Sequence, residues 1–137
     1  MTCIVDSGFL YALVNRREDR HQDVAAVVEL LKEPMILPIS ALTEVCYLIG
    51  RDLGPAELAA FVQSLADGDL ILEGLTRDDL RRAAGVLAQY ADVRVDFVDA
   101  TIVALAERLK VTRILTLDRR HFELFRPRHC VAFEILP

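Results

Sequence analysis

The chain has 137 residues, 53% of them hydrophobic, and a formal net charge of −5 at pH 7. This length predicts one domain over residues 1–137, with a core that needs neither disulfides nor structural zinc, and the acidic balance argues against indiscriminate coating of nucleic acid. No apolar run approaches the roughly 20 residues of a membrane-spanning helix, and residues 1–6 lack the pattern of a secretion signal, so a cytoplasmic protein is expected.

Short apolar segments alternate with amphipathic segments along the chain. The first half predicts a strand at 3–5, a helix just after Asp6, a helix over 21–32, a strand at 35–37, a helix from a Ser40 N-cap to 49, and a helix from Pro55 to about 66. The second half predicts a strand at 70–72, a helix from a Thr76 N-cap to about 90, a helix from near Phe97, a strand at 113–116 and a last strand at 131–133.

This alternation of strands and helices predicts an α/β fold. The strands are short and apolar on both faces, which indicates a three-layer α/β/α sandwich with a central, mainly parallel sheet and right-handed crossovers. Ligands of such sheets bind beyond the carboxyl ends of the strands. Asp6 and Asp118 each follow a predicted strand, so both are expected at that edge.

Two further acids lie within apolar helices. Glu44 and Asp99 have mostly apolar neighbours, and a carboxylate is rarely buried unless it is paired or binds a metal. Asp96 lies three residues before Asp99 on the same helical face, and one of the two is expected to stabilise the helix N-terminus. The apolar helix that follows favours Asp99 as the metal ligand, while Asp96 remains an alternative ligand.

Each acid also has an ordinary structural interpretation when it is taken alone. Asp6 and Asp118 could be helix caps or turn residues, and Glu44 could lie at the exposed edge of its helix. Four converging carboxylates, however, would repel one another and are tolerable mainly around cations. All-oxygen ligation favours Mg²⁺ or Mn²⁺, and such ions can drive phosphodiester hydrolysis.

The cysteines and histidines suggest no zinc site. The three cysteines contain no C-x-x-C pair and are predicted to be small buried side chains in a reducing compartment. The three histidines are scattered and are predicted to be surface or turn residues: His21, His121 and His129.

The ordered set of motifs resembles that of PIN domains, and its order, spacing and length are similar to those of VapC-type toxins of toxin–antitoxin pairs. The set comprises Ile4-Val5-Asp6-Ser7, Glu44 in its helix, Phe97-Val98-Asp99-Ala100, and Leu115-Thr116-Leu117-Asp118 followed by Phe122. The resemblance covers nearly the whole chain. It implies a small ribonuclease that uses Mg²⁺ or Mn²⁺, acts on RNA, often forms a homodimer and is restrained by a cognate antitoxin.

The resemblance also implies roles for individual residues. The family's acids carry over to Asp6, Glu44, Asp99 and Asp118 as catalytic metal ligands. Its supporting hydroxyls carry over to Ser7 and Thr116. The sequence departs from the family at Leu117, where a small polar residue is often found.

Several arginines are candidates for contact with RNA phosphates. Arg119 directly follows the last acid, while Arg16, Arg17 and Arg20 follow the first helix. Solvated surface charge is the alternative interpretation for each of them.

Two other functions stay open. A PIN-like domain could bind only a partner, although such a domain has no need to gather carboxylates. An aspartate-based phosphoryl-transfer domain could use Asp6 as acceptor, but a receiver-like domain would want a lysine at the end of the strand over 114–116. A haloacid-dehalogenase-like phosphatase would want an aspartate where Gly8 stands.

Overall fold

Five short strands form one sheet in the computed structural model, which describes residues 1–137. The strands are β1 (Cys3–Val5), β2 (Met35–Pro38), β3 (Ile71–Glu73), β4 (Arg113–Leu115) and β5 (Glu134–Leu136). Their order in the sheet is β3-β2-β1-β4-β5, and all neighbouring strands are parallel. The central strand β1 is buried along its whole length, as its unbroken apolar sequence requires.

Seven α-helices join these strands. They are α1 (Ser7–Val14), α2 (His21–Leu30), α3 (Ile39–Leu53), α4 (Pro55–Asp67), α5 (Arg77–Gln89), α6 (Phe97–Leu109) and α7 (Arg119–Leu124), with a 3-10 turn at Ala91–Val93. The chain moves from β1 to β3 in one direction across the sheet and then returns past β1 to β4 and β5. Right-handed crossovers therefore place α1 to α4 on one face and α5 and α6 on the other, which confirms the three-layer α/β/α prediction.

The start of α3 differs from the prediction. The helix begins at Ile39 with Pro38 in the capping position, so the expected N-cap role of Ser40 is wrong. Ser40 lies within the first turn, and its Oγ is 2.7 Å from Oγ1 of Thr101 on α6. The hydroxyl thus binds a neighbouring helix instead of its own backbone, and α3 continues to Leu53 instead of ending near 49.

The last strand also lies further along the chain than the predicted 131–133. Val131 is 90% exposed, whereas Ile135 is buried and pairs with Ile114 of β4. Glu134 accepts two hydrogen bonds from Arg113, its partner in the register. The strand position therefore follows from a tertiary ion pair and from core burial, neither of which a local apolar run reveals.

Helix α6 is the most buried helix of the fold. Every residue from 98 to 106 is buried, which confirms the prediction of an apolar, buried helix behind Asp99. Two ion pairs join α6 to α5: Arg82 binds Glu107 at 2.7 Å, and Arg108 binds Asp79 at 3.0 Å. These contacts fix the helix that carries one of the predicted site acids.

The cysteines form no disulfide bond. All three cysteines are free; Cys3 is buried, while Cys46 and Cys130 are only partly buried. None of the helices combines the length and the apolar character needed to cross a bilayer.

Asp79 provides a test of this scaffold. It completes a capping box with the predicted N-cap Thr76 and is only 3% exposed beside Arg108. We expect Asp79→Ala to lower the free energy of unfolding by about 2–4 kcal/mol, because the backbone N–H of Thr76 loses its acceptor and Arg108 loses its buried partner. Urea denaturation measures this change.

The adjacent Asp78 offers a matched control, since its side chain is 89% exposed and pairs with Arg81 at the surface. Asp78→Ala should change stability by no more than about 0.5 kcal/mol. Equal destabilisation in both variants would contradict the assigned role of Asp79.

Candidate active site

The acids predicted from the sequence meet where β1 and β4 end. These strands are neighbours in the sheet, and the backbone N–H of Asp6 donates to the carbonyl of Leu115 at 2.9 Å. The connections leave β1 and β4 in opposite directions along the sheet, which opens a crevice beyond their carboxyl ends.

A pocket of about 390 Å³ occupies this crevice. All four acids predicted as ligands line it, together with Asp96, the alternative third ligand, and one apolar side chain, Leu117. The full lining is Asp6, Ser7, Gly8, Glu44, Asp96, Asp99, Leu117 and Asp118. The structure therefore brings the predicted acids together on one surface.

Asp6 is held by donors on both of its carboxylate oxygens. Its Oδ1 accepts from the backbone N–H of Ser7 at 2.8 Å, and its Oδ2 accepts from Oγ1 of Thr116 at 2.8 Å. Burial nevertheless raises the pKa of Asp6 to about 6, helped by the charges of Asp96 and Glu44 and opposed by these hydrogen bonds. Asp6 also caps α1, so it combines the cap role weighed from the sequence with a place in the pocket lining.

The two predicted hydroxyls link the acids in pairs. Thr116 Oγ1 donates to Asp6 and accepts from the backbone N–H of Asp118 at 2.9 Å. Ser7 Oγ donates to Oε1 of Glu44 at 2.8 Å and lies 3.4 Å from Oδ1 of Asp6. Glu44 is exposed as a residue, and this contact fixes one of its oxygens at the pocket.

Asp96 and Asp99 have different environments. Asp96 is exposed and caps α6, accepting from the backbone N–H of Asp99 at 2.8 Å. Asp99 is only 4% exposed, and its pKa is raised to about 7 by burial and by the charges of Asp96, Asp6 and Asp118, against the opposing effect of His121. This division of roles supports Asp99 as the ligand, although both acids line the pocket.

His121 belongs to this cluster, so its predicted role as a surface or turn residue is wrong. Its Nδ1 lies 2.9 Å from Oδ2 of Asp118 and 3.2 Å from Oδ2 of Asp99. One ligand atom from each of these three residues falls within 4.8 Å of the others. The available signal was the three-residue spacing from Asp118, the N-cap of α7, which places His121 at the third helical position, beside the cap. His21 and His129 instead contact backbone carbonyls away from the pocket.

Arg119 is directed to the C-terminal strand. Its guanidinium donates to Glu123 at 3.0 Å and to the carbonyls of Ile135 and Pro137 at 2.9 and 2.8 Å. The side chain does not line the pocket, so contact of Arg119 with RNA stays a prediction.

Comparison with known proteins gives the family. The model of the PIN domain family matches residues 3–126. The chain belongs to the PIN domain family. Among its relatives, Ribonuclease VapC26 of Mycobacterium tuberculosis is 30% identical over 134 residues, which cover 98% of this chain and 99% of that protein.

Solved structures share the fold of this PIN domain. The Mycobacterium tuberculosis toxin VapC20, which cleaves the sarcin-ricin loop, matches with a TM-score of 0.75 and 22% identity over 82% of this chain and 86% of that chain. A toxin–antitoxin complex from Klebsiella pneumoniae matches with a TM-score of 0.72 and 15% identity over 90% of this chain and 92% of that chain.

The raised pKa values of Asp6 and Asp99 predict how stability depends on pH when divalent ions are chelated. Both folded-state pKa values exceed the ordinary value of 3.8, so the folded PIN domain retains protons that the unfolded chain releases. Their stabilising contribution is full below about pH 4 and is lost as the pH rises through about 6 to 7. For Asp6, the difference corresponds to about 3 kcal/mol.

We therefore expect the free energy of unfolding in chelator to fall between about pH 4 and pH 7. Asp6→Asn and Asp99→Asn should each flatten this fall, since the amide cannot ionise, while the exposed Asp78→Asn should leave it unchanged. Urea denaturation across the pH range measures the slopes. An unaltered slope in both site variants would refute the assignment.

Proposed function

We propose that this PIN domain is a metal-dependent endoribonuclease of the VapC type, the toxin of a toxin–antitoxin pair, acting in the cytoplasm. Residues 1–137 would form one nuclease domain. The observation that carries this proposal is the gathering of Asp6, Glu44, Asp99 and Asp118 around one pocket at a strand switch point. The nearly full-length relation to Ribonuclease VapC26 supports RNA as the substrate.

The donor set of the pocket fits a hard divalent cation. Carboxylates that are buried and close enough to raise one another's pKa are tolerable around a positive ion. We assign Asp6, Glu44, Asp99 and Asp118 as the residues that would hold Mg²⁺ or Mn²⁺, with Asp96 at the edge. When bound, such an ion supplies an activated water and neutralises charge that develops on the phosphodiester.

The chain's own residues prepare this site. Ser7 and Thr116 orient the carboxylates of Glu44 and Asp6, which reduces the rearrangement needed when a cation binds. Because Asp6 and Asp99 retain protons up to about pH 6 and 7, loading the site must displace those protons. The phosphoryl-transfer alternative is disfavoured because the chain lacks both the lysine at the end of the strand over 114–116 and an aspartate at Gly8.

We also propose a cognate antitoxin and a homodimer. The Klebsiella pneumoniae structure that shares this fold is a toxin–antitoxin complex, which supports the first partner. The edge strand β3 supports self-association, since it has one open side and exposes Ile71 by 41% and Leu72 by 45%.

Cleavage of RNA with and without divalent ions tests the proposed activity. Purified protein should cut single-stranded or structured RNA in Mg²⁺ or Mn²⁺ and fail in chelator. Asp6→Asn and Asp99→Asn should lose roughly 100-fold or more of the activity, because each removes a charged ligand. The exposed Asp78→Asn serves as the control.

Two results of this assay would change the proposal. If the protein neither cuts RNA nor binds a divalent ion, the partner-binding alternative replaces the nuclease. If Asp99→Asn keeps full activity while Asp96→Asn loses it, Asp96 is the third ligand.

His121 distinguishes the two candidate ions. Imidazole is a better ligand for Mn²⁺ than for Mg²⁺, which prefers oxygen and retains its waters. If Nδ1 of His121 joins the donor set, the protein should bind Mn²⁺ more tightly than Mg²⁺. We expect His121→Ala to reduce this preference about tenfold in isothermal titration calorimetry. His21→Ala is the control, and an unchanged preference in His121→Ala would exclude the histidine as a ligand.

A further inference from the structure

One side of α3 carries a row of exposed side chains that starts at the candidate active site and leads away from it. Glu44 lies at the pocket, Tyr47 follows one turn later and Arg51 follows after another turn. At 3.6 residues per turn, the three positions fall within an arc of about 60° and span about 10 Å. Tyr47 is the most exposed aromatic residue of the chain, at 66%.

The exposed Tyr47 ring is held by a chain of polar contacts that ends in the core. The Arg51 guanidinium lies 5.8 Å from the ring centroid and binds both oxygens of Asp52 at 2.7 and 3.0 Å. Asp52 accepts from the hydroxyl of buried Tyr11 at 2.5 Å, and Tyr11 accepts from buried Asn15 at 3.0 Å. The guanidinium is thus anchored, and it holds one face of the ring while the ring remains largely exposed.

Two further arginines lie near the C-terminal end of α3, close to Asp52 and Leu53. Arg16 and Arg17 are exposed, and their side chains make no hydrogen bond or ion pair with the protein. They line an open pocket of about 510 Å³ together with Asp52. Arginines without a carboxylate partner are suited to phosphate oxygens.

We propose that single-stranded RNA lies along this row, with a base stacked on the Tyr47 ring and phosphates at Arg16 and Arg17. The inference rests on the proposed ribonuclease function and deepens it. Anchored aromatic rings beside basic side chains bind single strands by stacking, which tolerates any base. An exposed ring that is already ordered also avoids the entropy lost when a free side chain is immobilised.

RNA explains the row better than a protein partner does. Tyr47 is the only large apolar side chain of the row, whereas the core of a protein interface is a cluster of apolar side chains. The row also begins at Glu44, so a strand bound along it would pass directly into the pocket of acids.

Substitution of Tyr47 tests the stacking interaction. Affinity for a labelled single-stranded oligoribonucleotide is measured by fluorescence anisotropy in chelator, and KM and kcat are measured in Mg²⁺. We expect Tyr47→Ala to weaken binding and raise KM by about tenfold, with kcat little changed. Tyr47→Phe should restore the affinity, since it keeps the ring. Leu80→Ala, which removes a 45% exposed side chain of α5 on the other face of the sheet, is the control.

The absence of tryptophan from the chain allows a direct spectroscopic test. Tyr47→Trp introduces a single indole at the proposed stacking position, and RNA should quench its fluorescence. Leu80→Trp should show no quenching. The double variant Arg16→Gln with Arg17→Gln should lower the dependence of log affinity on log salt by about 0.7 for each phosphate that the protein no longer neutralises.

The outcomes separate this inference from the proposed function. If the wild-type protein cuts RNA while Tyr47→Ala keeps its affinity and KM, the row is not the RNA path and the nuclease proposal stands. If Tyr47→Ala loses self-association but binds RNA normally, the row is a protein contact and the inference is overturned. If the wild-type protein neither binds nor cuts RNA, both proposals fall.

Discussion

The repulsion among carboxylates at the ends of β1 and β4 is the constraint that the rest of the structure accommodates. Asp6 and Asp99 are nearly inaccessible to water, and burial raises the pKa of both. The fold offsets part of this cost locally, because Asp6 caps α1 and Asp99 lies in the first turn of α6, where the helix dipole favours negative charge. Two hydroxyls donate to the carboxylates, and Nδ1 of His121 lies within hydrogen-bonding distance of Asp99 and Asp118. The resulting cluster is poorly stable with all its acids ionised, which is the condition under which a divalent cation would bind most strongly.

The scaffold around the cluster is rigid where the acids need support. Parallel pairing of β1 with β4 fixes Asp6 against the segment that leads to Asp118. Helix α6 is enclosed on nearly all sides, and two arginine–carboxylate pairs fasten it to α5. At the opposite end of the sheet, Arg113 pairs with both Glu33 and Glu134 and so connects β4 to β5 and to the turn before β2. The charged side chains that are not in the pocket therefore stabilise the frame that holds it.

The sequence predicted the fold and the family, because apolar strands, amphipathic helices and caps such as Thr76 are local signals. It also identified the acids that line the pocket, since Asp6 and Asp118 follow strands whose carboxyl ends must share one edge. Features that depend on distant partners were wrong or missed: Ser40 binds Thr101, the last strand takes its position from β4, and His121 approaches Asp99 across 22 residues. For Asp6, the cap interpretation does not exclude the proposed ligand role, since a helix cap at the end of a strand can also line the crevice.

The burial of α6 also determines which parts of the site can move. We expect the backbone amides of α6, which is enclosed over residues 98 to 106, to exchange with solvent mainly on global opening, so the segment that carries Asp99 should be among the slowest to exchange. Asp6 directly follows the buried central strand and should share this property. Glu44 differs, because it lies on an exposed side of α3; one of its oxygens is held by Ser7, and we expect the rest of the side chain to move more readily than Asp6 and Asp99 do. The pocket thus has a fixed wall and an adjustable one, and adaptation to substrates of different shape would occur on the side of α3.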